Sequence, residues 1–312
     1  MRAQGLRVRL EVASTRNACY QDPMDTGIIR IGLIQMACGP EPAGNMNNAM
    51  ARIEDCAARG AQIVCLQELY RTRYPCQSED NDRFDLAEEI PGPSTEMLGK
   101  LAAQRKIVIV APIFERRAPG VYHNSAIVLN SEGRIAGHYR KMHIPDDPGY
   151  YEKFYFAPGD LDFISHAAGS AKVGVLICWD QWFPEAARLT AMAGAQVLFY
   201  PTAIGWTADM SEHTRRRMYD GWETVQRSHA IANGVFVAAV NRVGTEDNIE
   251  FWGGSFVCDP FGEILDRASH SKEENLIVDC DLARIEHTRR NWPFLRDRRV
   301  DAYGDLTRRF RI

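Results

Sequence analysis

Six segments of this chain are apolar on consecutive residues rather than on alternate ones: IIRIGLIQM (28–36), AQIVCL (61–66), IVIVAPIF (107–114), AKVGVLIC (171–178), AQVLFYP (195–201) and GVFVAAVNR (234–242). A strand with no polar face is stable only where both sides of its sheet are covered, by helices or by a second sheet. Helical patterns fill the intervals. Met46, Ala49, Ile53 and Ala57 recur at helical spacing before Gly60, with Asn45 as the predicted N-cap. Leu98–Lys106, FPEAARLTAMAGA and a long stretch from Ser211 to Asn233 are further predicted helices. HNSAIVLN and GRIAGHYRK, joined by Ser131-Glu132-Gly133, form a predicted hairpin, and FWGGSFVCDP, GEILDRA and NLIVDCDL complete the strands. Hairpins beside strand–helix–strand units imply an α/β sandwich of two mixed sheets with helices outside. No repeat, low-complexity tract or linker divides the chain, so residues 28–312 are expected to form one domain. Residues 1–27 are expected to lie outside its core. The first 23 carry four arginines and two acids and lack the apolar stretch of a secretory signal.

Several function classes are disfavoured at this level. The formal net charge is −4, and no basic stripe interleaved with aromatics suggests a nucleic-acid surface. No apolar run approaches the roughly 18 residues a membrane span requires. Eight cysteines are scattered without a CxxC pair, and no histidine cluster has zinc-ligand spacing. Scattered cysteines in apolar runs point to reduced, buried thiols and a cytoplasmic location. The arginines at 289, 290, 296, 298 and 299 alternate with Asp297, Asp301 and Asp305, as in a salt-bridged terminal segment.

Three polar residues stand at or just past strand ends, where open α/β sheets gather function. Cys178 follows VGVLI; it is either a buried strand thiol or a nucleophile, and the second role requires a nearby base. Glu68 follows IVCLQ; it is either that base or a structural acid paired with a neighbour such as Arg71. Lys141, in YRKMHIP, is either solvated or directed into a cleft as an oxyanion donor.

Taken together with their surroundings, these residues resemble the nitrilase (carbon–nitrogen hydrolase) superfamily. LQELY around Glu68, YRKMHIP around Lys141 and ICWDQWFPEAAR around Cys178 are similar to its three signature blocks, and the likeness runs from about Ile28 to Asp305. It implies a four-layer αββα sandwich that pairs into dimers or larger homo-oligomers, with Glu68, Lys141 and Cys178 catalytic. It implies Glu152, in YYEKFYFAPGD, as a supporting acid, and no metal or organic cofactor. His138 and His143 lie near Lys141 in sequence, but the mechanism that the resemblance implies does not require them; His143 is read as structural, with a substrate contact as the alternative.

The stretch KMHIPDDPGYYEKFYFAPGD (141–160) and the tail NWPFLRDRRVDAYGDL resemble the polyamine branch of that superfamily. That likeness implies a small cationic carbamoyl amine, N-carbamoylputrescine, as substrate. Charge favours a cation independently. Relatives acting on N-carbamoyl amino acids resemble one another in placing Arg just after the nucleophile, where this chain has Asp180 and Gln181. Asp146, Asp147 and Glu152 flank the expected mouth, with Tyr150, Tyr151, Trp179 and Trp182 as apolar or cation–π walls. Tyr150, Trp179, Asp180 and Asp147 are thus the candidate substrate-binding residues. Asp146-Asp147-Pro148-Gly149 equally satisfies a turn, and both readings stand. The rivals are an amidase or nitrilase acting on another small amide or nitrile, a non-catalytic binding protein, and a redox-sensing thiol.

Overall fold

A computed structural model describes residues 27–311, and all of the expected N-terminal extension but Gly27, Cys19 included, lies outside the described residues. The strands are β1 (Ile28–Gln35), β2 (Ile63–Leu66), β3 (Val108–Ala118), β4 (Val121–Leu129), β5 (Ile135–Arg140), β6 (Ser165–Ala168), β7 (Ala171–Val175), β8 (Val197–Thr202), β9 (Gly205–Thr207), β10 (Phe236–Asn241), β11 (Val243–Glu246), β12 (Ile249–Trp252), β13 (Phe256–Cys258), β14 (Ile264–Arg267) and β15 (Glu274–Asp281). The helices are α1 (Pro42–Ala58), α2 (Pro93–Arg105), α3 (Glu152–Tyr155), α4 (Pro184–Met192), α5 (Glu212–Asn233) and α6 (Ala283–Asn291).

Two six-stranded sheets run β15-β1-β2-β3-β4-β5 and β14-β13-β10-β8-β7-β6. Each has three parallel strands at its centre (β1, β2, β3 and β7, β8, β10) and antiparallel strands on both flanks, so both sheets are mixed as expected. A small antiparallel sheet, β11-β12-β9, lies at one end.

The doubly apolar strands have the explanation the pattern demanded. In the first sheet Ile63, Cys65, Val108 and Val110 pack inward against the second sheet, while Val64, Leu66, Ile109 and Ala111 pack outward beneath α1 and α2. Successive strand residues face opposite sides, so burial on both sides removes the alternation. Outside the second sheet, Ala186, Ala187 and Ala191 of α4 and Trp222 and Ala230 of α5 join its core. The layers are therefore helix, sheet, sheet, helix.

Two local expectations are corrected. Asn45 does not cap α1, which begins at Pro42 with Glu41 at the N-cap and no side-chain cap bond. Proline tolerates the first helical turn because its missing N–H is not needed there. Asn45 is buried and instead donates to the carbonyls of Gly39 and Arg71 and accepts from Gly39 N–H. The fourth strand run also stops early: β7 ends at Val175, and Cys178 opens a tight 3-10 turn, Cys178–Trp182.

The long helix α5 matches its expected limits, with Ser211 capping Thr214 N–H and Gly234 closing the C-terminus at φ +57. The described cysteines (38, 56, 65, 76, 178, 258 and 280) are free and buried. In the arginine-rich tail Arg296–Asp297, Arg299–Asp301 and Arg308–Asp305 are ion pairs, as expected. Among the described residues no helix is long and apolar enough to cross a membrane.

Candidate active site

Lys141 immediately follows β5 and is fully buried with Glu68 and Glu152. Its Nζ donates to Glu68 Oε1 at 2.8 Å and to Glu152 Oε2 at 2.6 Å. A buried ammonium is costly unless paired, and here two carboxylates compensate it. The Lys141 backbone is fixed by its N–H to Asn124 O (2.8 Å) and by Gly159 N–H to its own carbonyl (2.8 Å). A Cβ on Gly159 would lie 2.1 Å from Arg140 O, so only glycine lets the APGD segment approach this closely.

Glu68 lies two residues past β2. Gln67 turns its amide back on the end of β1, pairing with Met36 N–H and Met36 O at 2.7 Å each. Leu69 then adopts φ +47, a left-handed conformation rare for leucine, so the surroundings must hold it. Arg242, fully buried beyond β10, donates to the carbonyls of Glu68, Leu69 and Thr72 and to Glu246. Glu246 accepts from Tyr74 N–H, and Tyr74 O–H donates to Glu152 Oε1 at 2.7 Å. Glu152 and the candidate base Glu68 are thus steadied by one buried network. Arg71, weighed as a partner for Glu68, pairs with Glu88 instead.

Cys178 also has a positive φ, +42, and lies on the floor of a cavity of about 500 Å³. Asp180 secures this turn. Its carboxylate accepts from Ile177 N–H (2.9 Å), Tyr139 O–H (2.7 Å) and His143 N–H (3.0 Å), and it lies 2.7 Å from His143 Nδ1. Tyr139 and His143 bracket Lys141 in sequence, so Asp180 ties the cysteine turn to the lysine segment. The expectation that Asp180 binds substrate is therefore corrected: it is fully buried and its acceptor positions are occupied. Gln181 is likewise buried, accepting from Trp222 and Thr202, and neither residue lines the cavity. His143 stacks on Phe183 with centroids 3.7 Å apart, the structural role expected of it.

Burial and neighbouring charges set the protonation of these groups. Burial raises the Glu68 carboxyl above the ordinary carboxylate range, with Glu152 adding and Lys141 opposing. Burial alone would pull Lys141 down, but Glu152 and Glu68 outweigh it and hold the ammonium charged. Burial, reinforced by Glu68, pushes the Cys178 thiol well above its usual value despite Lys141. A thiol held that high is protonated, so Cys178 could act as a nucleophile only with a base to take its proton. Glu68 Oε1 is bound by Lys141 and by Asn124 Nδ2 (2.7 Å), whereas Oε2 is buried with no partner among the described residues. That oxygen has its acceptor capacity free.

The cavity wall comprises Pro145, Pro148, Tyr150, Trp179, Trp182 and Ile204, with Met210 and Met218 beyond. Tyr150, Trp179 and Asp147 line it as expected. Asp146 does not, and Tyr151 faces a neighbouring depression. The turn reading of Asp147 holds, since its carbonyl accepts from Tyr150 N–H in a turn with Gly149 at φ +82. Three residues escaped sequence reasoning. Asn124 was legible in principle, as an amide inside the apolar HNSAIVLN run, whereas Tyr74 and Asp209 carry no such signal.

The sandwich and this buried Glu–Lys–Glu cluster beside a cysteine define a hydrolase of carbon–nitrogen bonds, and the carbon-nitrogen hydrolase family model matches residues 30–290. The chain belongs to that family. It is 40% identical to an N-carbamoylputrescine amidase of Oryza sativa, over 89% of this chain and 94% of that one. A citrullinase of Francisella tularensis is 38% identical over 90% of this chain and 99% of its own. Among solved structures, a carbon-nitrogen hydrolase from Helicobacter pylori superposes with a TM-score of 0.88 at 45% identity, covering 91% of this chain and 99% of that one.

Proposed function

We propose that this protein converts N-carbamoylputrescine and water to putrescine, carbon dioxide and ammonia, with Cys178 as nucleophile. The observation that carries the reading is the buried Lys141 bridging Glu68 and Glu152 beside a cysteine at a cavity floor, with one Glu68 oxygen unpartnered. The amidase relative supports the substrate.

Glu68 takes the thiol proton as Cys178 Sγ bonds to the ureido carbon. Lys141 and backbone N–H groups of the Cys178–Trp182 turn stabilise the oxyanion. Collapse of the adduct breaks the terminal C–N bond, and protonated Glu68 delivers the proton that releases ammonia. The thiocarbamate left on Cys178 is attacked by water, which Glu68 deprotonates, restoring the thiol. The freed carbamate loses carbon dioxide to give putrescine. Glu152 keeps Lys141 charged and in place throughout.

Rapid acid quenching during turnover should trap the thiocarbamate on the Cys178 peptide. Turnover with no adduct there, and retained by Cys178→Ala, would overturn the mechanism. Lys141→Ala should lose on the order of 100-fold in kcat/KM, as for loss of another oxyanion donor. It should also lose about 3–5 kcal/mol of stability in denaturant titrations, because two buried carboxylates would be left without their cation. The pH profile follows from Glu68. The base works only unprotonated and its carboxyl is raised, so the acid limb of kcat/KM should fall above pH 4.5, the ordinary glutamate value. A limb at or below that value would assign the base elsewhere.

The proposal extends to the whole particle. Residues 28–312 act as one hydrolase unit, and the free buried cysteines fit a cytoplasmic setting. Self-association into a homo-oligomer is supported by the apolar side chains exposed near α4 and the tail, Leu189, Met192, Trp292 and Phe294. Sedimentation should show a dimer or larger species, and a strict monomer at micromolar concentration would contradict this.

N-carbamoylputrescine and citrulline present the same ureido group on a short alkyl chain, so the citrullinase relative favours one second reading at this site. The two substrates differ only at the distal end.

A further inference from the structure

The cavity that begins at Cys178 is polar in a graded way. Its floor holds the nearly enclosed Cys178, and its middle is formed by Ile204, Trp179, Trp182 and Met218. Its solvent-exposed lining includes two carboxylates, Asp147 and Asp209, and no Lys, Arg or His. The acids come from separate loops, one before Tyr150 and one after β9, and the loops are latched together. Gly205 N–H donates to Tyr150 Oη at 3.0 Å, and Tyr150 N–H donates to Asp147 O at 2.7 Å. Neither acid has an ion-pair partner among the described residues. The Asp209 carboxylate accepts from Thr207 O–H and from its own backbone N–H, and the nearby Arg215 is committed to Glu250.

On the reading above, a ureido group seated at Cys178 directs its alkyl chain along the apolar middle toward these acids. We infer that Asp209, with Asp147, forms an ammonium subsite that selects ω-ammonium alkyl ureas over substrates ending in a carboxylate or an α-amino acid. An ammonium there gains two uncompensated anions and keeps part of its hydration. A carboxylate would face both anions with no cation to answer it, which is discrimination by repulsion as well as attraction.

The test compares kcat/KM for N-carbamoylputrescine with that for n-butylurea, which has the same chain without the amine. The wild-type ratio should favour the charged substrate and shrink as salt is raised. Asp209→Asn should reduce the ratio about threefold, and Asp147→Asn with Asp209→Asn together on the order of tenfold. An unchanged ratio in the double variant overturns the subsite while leaving the hydrolytic function intact. Absence of wild-type turnover with both ureas instead defeats the underlying function. A second measurement needs no variant. Wild-type hydrolysis of n-butylurea should be inhibited most by 1,4-diaminobutane, less by n-butylamine and least by 4-aminobutanoate. Equal inhibition by the three, or citrulline turnover exceeding that of N-carbamoylputrescine, also overturns the inference.

Discussion

Cys178→Ala is expected to lower turnover of N-carbamoylputrescine by at least about four orders of magnitude, the scale of losing a covalent nucleophile. The fold should survive. Cys178 sits in a tight turn whose geometry is held by Asp180, through Ile177 N–H, Tyr139 and His143, and not by the sulfur. Loss of one small buried group costs about 1 kcal/mol. Circular dichroism and the unfolding midpoint should therefore stay near those of the parent while steady-state ammonia release vanishes. Near-normal turnover by the variant would remove Cys178 from the mechanism.

Glu68→Gln should reduce kcat by about three orders of magnitude, the middle of the range for general acid–base groups. This variant separates two roles of opposite sign. The Glu68 charge helps hold the Cys178 thiol protonated, so its removal makes the thiolate easier to form. If thiolate population alone limited the rate, the amide would be faster than the parent. If the carboxylate carries the proton, the amide is nearly inactive although its cysteine alkylates more readily with iodoacetamide. Paired rates of turnover and alkylation, measured on the same preparations, distinguish the two.

Much of the architecture was legible because the constraint was severe. Strands such as Ile63–Leu66 and Val108–Ala111 are buried on both faces, and that condition writes itself into consecutive apolar residues. The three strand-end residues were open to structural readings when taken singly, and it was the blocks around them, LQELY, YRKMHIP and ICWDQWFPEAAR, that singled them out. What failed was local geometry. Asn45 satisfies the chemistry of a cap, but Pro42 had already started the helix and two loops claimed the amide. Asp180 and Gln181 follow the cysteine closely in sequence, yet the 3-10 turn directs both into the protein interior. The side chains of Asn124 and Tyr74 meet Glu152 from positions 28 and 78 residues away, and Asp209 joins the cavity lining from the loop after β9. Only Asn124 had a sequence signal, an amide inside the apolar HNSAIVLN run.

The most direct test is release of ammonia and putrescine from N-carbamoylputrescine by the purified protein, with N-carbamoyl-β-alanine and citrulline alongside. The proposed chemistry and the acidic mouth together require equal amounts of ammonia and putrescine from the first and no turnover of N-carbamoyl-β-alanine. Turnover of N-carbamoyl-β-alanine with none of N-carbamoylputrescine would contradict the proposed substrate.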